Sequence, residues 1–346
     1  MSTKTAVKAT LMQTTKKEIL SGLDKALAQY TVAALTKQGD RTLYAPIRSA
    51  KEIVWEYTPT VLSPKKFFFP QEEVIVEYDA SGKVAARIDA QALVLFGVRP
   101  CDLNGIKIMD EAFASSKGDP NYLAKREKSI VIGQDCVDMC DENAFCYKVG
   151  SHEATKGFDL MLHELDDAIT ISIMTDKGQK FVDTYFSAKA GLETALKSFW
   201  AKKAKGVEKE PPFKDLEHLP KIFEKNHEHF IWKEEGARCL SCGSCIMVCP
   251  TCYCFDVADE MALNLKQGQR LRRWDACMLH SFAEVAGGEN FREKPEERLK
   301  HRISRKFNYL MKKHGQAVCV GCGRCVRACL AKISPKTIAK VLTGEN

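Results

Sequence analysis

The sequence predicts an α+β protein, with an N-terminal α/β domain over residues 1–205 and a mainly helical domain over residues 206–346. Three observations predict it. Two short apolar runs, Ala92–Gly97 and Ile130–Gly133, flank a helical stretch in the manner of a strand–helix–strand unit. A lysine-rich segment near Ala201–Pro220, broken by Pro211-Pro212, reads as the boundary. Beyond it the chain turns helical and rich in cysteine.

The elements follow in order. Thr15-Lys16-Lys17-Glu18 is a capping box, and Ile19, Leu20, Leu23, Leu27 and Tyr30 recur at helical spacing behind it. Strands are expected at Leu43-Tyr44, at Ile53-Val54-Trp55, and at Val74-Ile75-Val76 before a turn at Ser81-Gly82. Ala92–Gly97 and Ile130–Gly133 are buried strands, with a helix carrying Leu103, Ile106 and Met109 between them. Ile169, Ile171 and Ile173 alternate with Thr170 and Ser172 in a further strand. In the second domain Asp256–Leu265 and Arg298–His314 read as helices, and Ser334–Asn346 as a short helix and tail.

Composition narrows the function. The 346 residues are 45% hydrophobic and 28% charged, ordinary for a globular chain with a real core. No run approaches the ~18 consecutive apolar residues of a membrane span. The start, Met1 to Glu18, lacks the apolar segment of a secretory signal, so a cytoplasmic protein is expected. There is no G-x-G-x-x-G and no P-loop. Fifteen cysteines, an odd number gathered at short spacings, point to metal rather than disulfides.

Cys239-x2-Cys242-x2-Cys245-x3-Cys249-Pro250 is the bacterial ferredoxin run without a mismatch. Three thiolates at this spacing let one loop wrap a [4Fe-4S] cubane, and the fourth ligates the other cluster. Cys319-x2-Cys322-x2-Cys325-x3-Cys329 repeats it, with Leu330 in place of the proline. Crossed ligation puts Cys239, Cys242, Cys245 and Cys329 on one cluster, and Cys319, Cys322, Cys325 and Cys249 on the other. Zinc accounts for CxxC pairs but not for this pattern twice. The 69 residues between the runs exceed what a compact ferredoxin holds, which favours a helical frame. The net charge of +7 counts cysteines as neutral. Two clusters on four thiolates each bring it to about +3, so the basic excess reads as compensation or a docking surface, not a nucleic-acid footprint.

Cys101, Cys136, Cys140 and Cys146 form a third constellation. Cys101 and Cys136 each follow a buried strand, and neighbouring strands bring them to one sheet edge. A third iron–sulfur cluster, a zinc ion and ordinary reduced thiols all fit that spacing. Cys252, Cys254 and Cys277 are expected to pack near a cluster and hydrogen-bond to it, because three thiols without a fourth make a poor site of their own. His227 and His229 read as solvated. Arg270, Arg272, Arg273 and the Arg298–Arg305 run read as solvated or cluster-facing charge.

Phe96-Gly97-Val98-Arg99-Pro100-Cys101-Asp102, Cys249-Pro250-Thr251-Cys252-Tyr253-Cys254-Phe255-Asp256, Ala286-Gly287-Gly288-Glu289-Asn290-Phe291-Arg292 and Cys319-Val320-Gly321-Cys322-Gly323-Arg324-Cys325 carry a family resemblance. From about Leu93 onward the chain resembles the iron–sulfur β subunits of cytoplasmic sulfhydrogenases and the corresponding iron–sulfur subunit of anaerobic sulfite reductase. Relatives of these stand beside flavin oxidoreductase modules linked to heterodisulfide reductases. The resemblance implies a subunit that relays electrons between an FAD- and NAD(P)H-binding partner and a catalytic hydrogenase, sulfite reductase or heterodisulfide reductase-type subunit. Two departures stand out. Ala144-Phe145-Cys146 replaces a Cys-Phe-Cys triplet, with Cys140 nearby, and Glu289 replaces a histidine. The competing reading is a subunit that is itself catalytic in sulfur-compound reduction, through an N-terminal cluster with an open coordination position.

Overall fold

The computed structural model describes residues 10–165, 168–191, 193–209 and 211–345, so the first nine residues of the Lys- and Thr-rich start lie outside it. In chain order the strands begin with β1 (Thr10–Thr14), β2 (Thr31–Gln38), β3 (Arg41–Pro46), β4 (Glu72–Asp79), β5 (Val84–Ala86) and β6 (Leu93–Val98). There follow β7 (Ser129–Gln134), β8 (Leu160–Leu165), β9 (Ala168–Ile173), β10 (Lys189–Ala190), β11 (Phe255–Met261) and β12 (Gln267–Trp274).

Eight strands form one sheet in the order β10-β1-β9-β8-β7-β6-β2-β3. Its centre, β2, β6, β7 and β8, is parallel, and antiparallel strands extend it on both sides. β6 and β7 are buried along their whole length, as parallel strands covered on both faces must be. The crossover between them contains helices Pro100–Phe113 and Pro120–Glu127. Alternation splits the sheet's side chains between two layers. Val94, Phe96, Ile130 and Ile132 meet helices Lys16–Ala26 and Asp176–Tyr185 on one face, whereas Leu93, Leu95 and Val131 meet Leu103, Ile106 and Met109 on the other. The capping box forms as expected: Thr15 Oγ1 accepts from the Glu18 N–H, and the Glu18 carboxylate accepts from the Thr15 N–H at 3.1 Å.

Two expectations are corrected. Ile53-Val54-Trp55 is not a strand; a 3-10 turn at Ala50–Glu52 leads into one bridge between Ile53 and Thr36. The bridge uses the edge of β2 opposite β3, just past the Thr31–Ala33 stretch that β6 occupies, and the segment is anchored mainly through its side chains. Trp55 packs into the core and donates its Nε1–H to Glu164 at 2.7 Å. The second correction is larger. Asp256–Leu265 is not a helix, because β11 hairpins onto β12, which pairs with β4 and through it β5. Opposed charges suit that register, with Asp259 facing Arg270 across the ladder at 2.8 Å. Arg272 is accordingly neither solvated nor cluster-facing. It is buried between Glu73 of β4 and Asp119.

This second sheet joins strands from both halves of the chain, and a continuous helix spans Glu193–Lys209. The C-terminal part is otherwise built from short helices. Pro295–Ser304 continues through a π-helical turn at Arg305–Tyr309 into Leu310–His314, and its Leu299, Ile303 and Phe307 form a core with Phe223, Trp232 and Ile246. Phe145 and Val149 enter that core from the N-terminal half.

Two glycines show how closely the halves meet. A Cβ on Gly105, in the helix that begins beside Cys101, would lie 2.9 Å from the Pro250 Cβ. Gly321 has φ +58°, and a Cβ there would lie 2.6 Å from the backbone of Phe145 and Cys146. Its carbonyl accepts the Phe145 N–H at 2.7 Å. The second cysteine run thus lies backbone to backbone against the N-terminal cysteine loop.

Candidate metal centre

The two ferredoxin-type runs fold alike. Gly243 and Gly323 both take left-handed conformations, φ +75° and +71°, and start the short helices Ser244–Met247 and Arg324–Ala328 that carry Cys245 and Cys325. Cys239 sits at the C-terminal end of helix Ile231–Arg238, and the Ser241 N–H points to its Sγ at 3.5 Å. Cys239, Cys242, Cys245 and Cys329 line one cavity together with Leu299, Arg302 and Ile333. The last cysteine of the second run therefore stands with the first three of the first run.

Cys249 goes the other way. Burial pushes up the thiols of Cys319 and Cys322, the latter to about 11, and each is pushed further by Cys325 and by Cys249. Those four sulfurs share one neighbourhood.

The third constellation assembles at the sheet edge. Cys101 opens its helix directly after β6, and Cys136 follows β7, the parallel neighbour of β6. After burial, Cys136 and Cys140 raise the Cys146 thiol, while Asp102, Cys322 and Cys140 raise Cys101. Cys140 is exposed and Cys101 and Cys146 are buried. The influence of Cys322 on Cys101 places this group beside the second one. The first group also adjoins the second, since Cys325 and Cys249 act on Cys245. The Cys249 group thus neighbours both of the other groups of four cysteines.

Cys252, Cys254 and Cys277 gather beside the Cys249 group, in a pocket with Arg302, Arg305 and Lys306. The Cys252 thiol hydrogen-bonds to Cys249, and that of Cys277 to Cys254. Among the described residues, no three His, Cys, Asp or Glu side chains close around a point as a single metal ion requires.

Of the cations around these groups, Arg302 belongs to the Arg298–Arg305 run read from sequence as solvated or cluster-facing, whereas sequence reasoning missed Lys65 and Lys306. Lys65, Arg302 and Lys306 are buried. Their hydrogen bonds among the described residues go to uncharged oxygens: Lys65 Nζ donates to Cys252 O at 2.7 Å, Lys306 Nζ to Thr251 Oγ1 at 2.7 Å, and Arg302 Nη2 to Cys245 O at 3.4 Å. Arg302 Nε has no partner. Burial works against the charge on Arg302 and Lys306, yet nearby thiols keep both protonated well above their usual range, with Cys245 foremost for Arg302 and Cys249 for Lys306. Burial lowers Lys65 to about 8. Three buried cations without a carboxylate cost several kcal/mol each unless anionic charge stands beside them. Cubanes on four thiolates, each carrying a net −2, supply it, so the donor sets and their electrostatic surroundings both fit iron–sulfur clusters. Arg302 and Lys306 have a sequence signature, an i,i+4 pair in the basic helix from Arg298. Lys65 has none.

Residues 238–333 match the family model of the 4Fe-4S dicluster domain. Over 302 residues the chain is 36% identical to sulfhydrogenase 2 subunit beta of Pyrococcus furiosus, covering 84% of this chain and 85% of that protein. The chain belongs to the sulfhydrogenase β-subunit family. As a member of that family it is an iron–sulfur electron-transfer protein. The family resemblance and the α+β fold class expected from sequence both hold. No helix among the described residues is long and apolar enough to cross a membrane.

Proposed function

We propose that this chain is a cytoplasmic relay subunit carrying electrons between a flavoprotein that binds FAD and NAD(P)H and a terminal hydrogenase, sulfite reductase or heterodisulfide reductase-type subunit. Two [4Fe-4S] clusters belong to Cys239, Cys242, Cys245 and Cys329, and to Cys249, Cys319, Cys322 and Cys325. A third belongs to Cys101, Cys136, Cys140 and Cys146. Such clusters, when bound, supply single-electron carriers whose potentials respond to charge and hydrogen bonds around the sulfurs. The chain's own residues do the rest. Arg302 and Lys306 compensate negative charge between the first group and the Cys249 group, and the apolar core around Ile246 and Leu299 keeps water away.

The observation that carries this reading is the adjacency of the Cys249 group to the other two, each of which has an exposed thiol, Cys242 and Cys140. Adjacent groups that reach the surface at two separate thiols suit a conduit. The relative's name describes one component of a larger enzyme, which supports partner subunits here also. Iron and acid-labile sulfide analysis of anaerobically purified protein, with EPR after dithionite reduction, tests the reading. About twelve irons per chain are expected, and about eight would remove the third cluster. Zinc without sulfide would end the iron–sulfur assignment, and substrate-dependent EPR changes in the isolated chain would replace a relay by a catalytic subunit.

A further inference from the structure

The pocket beside the Cys249 group holds two thiols that the ligand sets leave unused. Cys254 immediately precedes β11, and Cys277 lies three residues past the end of β12, at the open end of the same hairpin. The ladder continues past Phe255↔Trp274, with the Asp275 N–H donating to Cys254 O at 3.0 Å, and this fixes the two segments against each other. Cys254 and Cys277 line one pocket with Arg305 and Lys306, and each is the foremost influence on the other's acidity. Neither residue belongs to a ligand set, and both line the same pocket at the hairpin's open end.

We propose that Cys254 and Cys277 form a redox-active dithiol, a two-electron centre beside the one-electron carriers. The inference rests on the relay reading above, which supplies its electron source and sink.

Oxidation joins the Cys254 thiolate and the Cys277 sulfur in one S–S bond, releasing two electrons and the single proton held on Cys277. Reduction breaks that bond with two electrons, which an iron–sulfur cluster held by the Cys249 group would deliver singly. The proton taken up rests on Cys277, and Cys254 remains a thiolate. The surroundings suit that product. The Cys277 thiol, with Arg305 and Lys306 behind it, brings Cys254 down to about 6 against the pull of burial, whereas Cys277 is pushed far up. A thiolate with its proton-bearing partner in contact is the arrangement that thiol–disulfide chemistry uses. The link to the clusters is short in residues. Lys306 donates to Thr251 Oγ1, which lies 3.4 Å from Cys249 Sγ. Cys252 is not a member of the pair, because its hydrogen bond goes to Cys249.

The full chain, purified anaerobically with its clusters, is equilibrated at stepped potentials in dithiothreitol buffers, quenched in acid, alkylated with N-ethylmaleimide and mapped by peptide mass spectrometry. A reversible Cys254–Cys277 disulfide is expected, with iron and sulfide unchanged. Reductive titration of the oxidised protein should take up two more electrons per chain than the Cys277→Ser variant, whose iron content should equal that of the parent. Two thiols that never pair in cluster-loaded protein would overturn this inference alone. Iron lost from Cys277→Ser would also overturn it, by making the residue a ligand. Absence of iron and sulfide from the parent protein would instead overturn the relay reading on which it rests.

Discussion

Arg324 grips Asp102 through two parallel hydrogen bonds, Nη1 to Oδ1 at 2.8 Å and Nη2 to Oδ2 at 2.7 Å, with both side chains buried. Arg324 lies between Cys322 and Cys325 of the second run, and Asp102 directly follows Cys101, so this one pair couples two cysteine groups. The guanidinium also donates to Thr60 O at 3.0 Å, and Ser63 Oγ donates to Asp102 Oδ1 at 3.0 Å. A bidentate buried pair with these further bonds is specific in geometry and costly to break on one side only.

Asp102→Ala should therefore lose roughly 3–5 kcal/mol of stability by leaving Arg324 buried and unpaired. Removing both partners, as Asp102→Ala with Arg324→Met, should cost less than the single change. Anaerobic denaturant melts of the three proteins check this, and a double variant weaker than Asp102→Ala would contradict it.

Crossed ligation can be read from thiol protection. In Cys329→Ala, iodoacetamide should label Cys239, Cys242 and Cys245 while Cys319, Cys322 and Cys325 stay protected. Cys249→Ala should give the reverse pattern. Each variant should lose about four irons. Labelling of each damaged run by itself would show uncrossed ligation.

Arg302→Met removes a buried positive charge close to Cys245 and Cys325. An added electron is then less well stabilised, so the potentials of the first and second clusters should fall by tens of millivolts, on the order of 1–2 kcal/mol per electron. EPR-monitored redox titration measures the change. The third cluster, whose cysteines are not among the thiols acting on Arg302, should move less.

Gly321→Ala sets a side chain in a left-handed backbone position and drives it into Phe145 and Cys146. A cost of roughly 1–3 kcal/mol is expected. Because the displaced strand of chain carries Cys146, iron should be lost first from the N-terminal group. Iron counting and cysteine labelling on the variant test that order, and selective loss from the Cys239 group would contradict it.

Electron transfer gives the functional check. Cys242→Ala or Cys322→Ala should abolish transfer from the flavoprotein to the terminal acceptor while sparing the flavoprotein's pyridine-nucleotide oxidation with an artificial dye. Full coupled activity in either variant would contradict the relay.

Local chemistry was legible in the residues alone. The x2-x2-x3 spacing dictates how one loop can wrap a cubane, the capping box at Thr15 dictates a helix start, and the apolar runs at Ala92 and Ile130 dictate buried strands. All three depend on neighbours a few residues apart. Folding settled whatever depends on distant partners. Asp256–Leu265 has the composition of a solvated helix, and most of it became strand β11 because β12 offers it a ladder, β12 itself being held by β4 nearly two hundred residues away in sequence. Lys65 carries no local sign of its place under Cys252, since an unpaired buried lysine is tolerable only where folding gathers negative charge around it. Arg324 and Asp102 stand 222 residues apart, and only the fold brings the sheet edge with Cys101 against the second cysteine run.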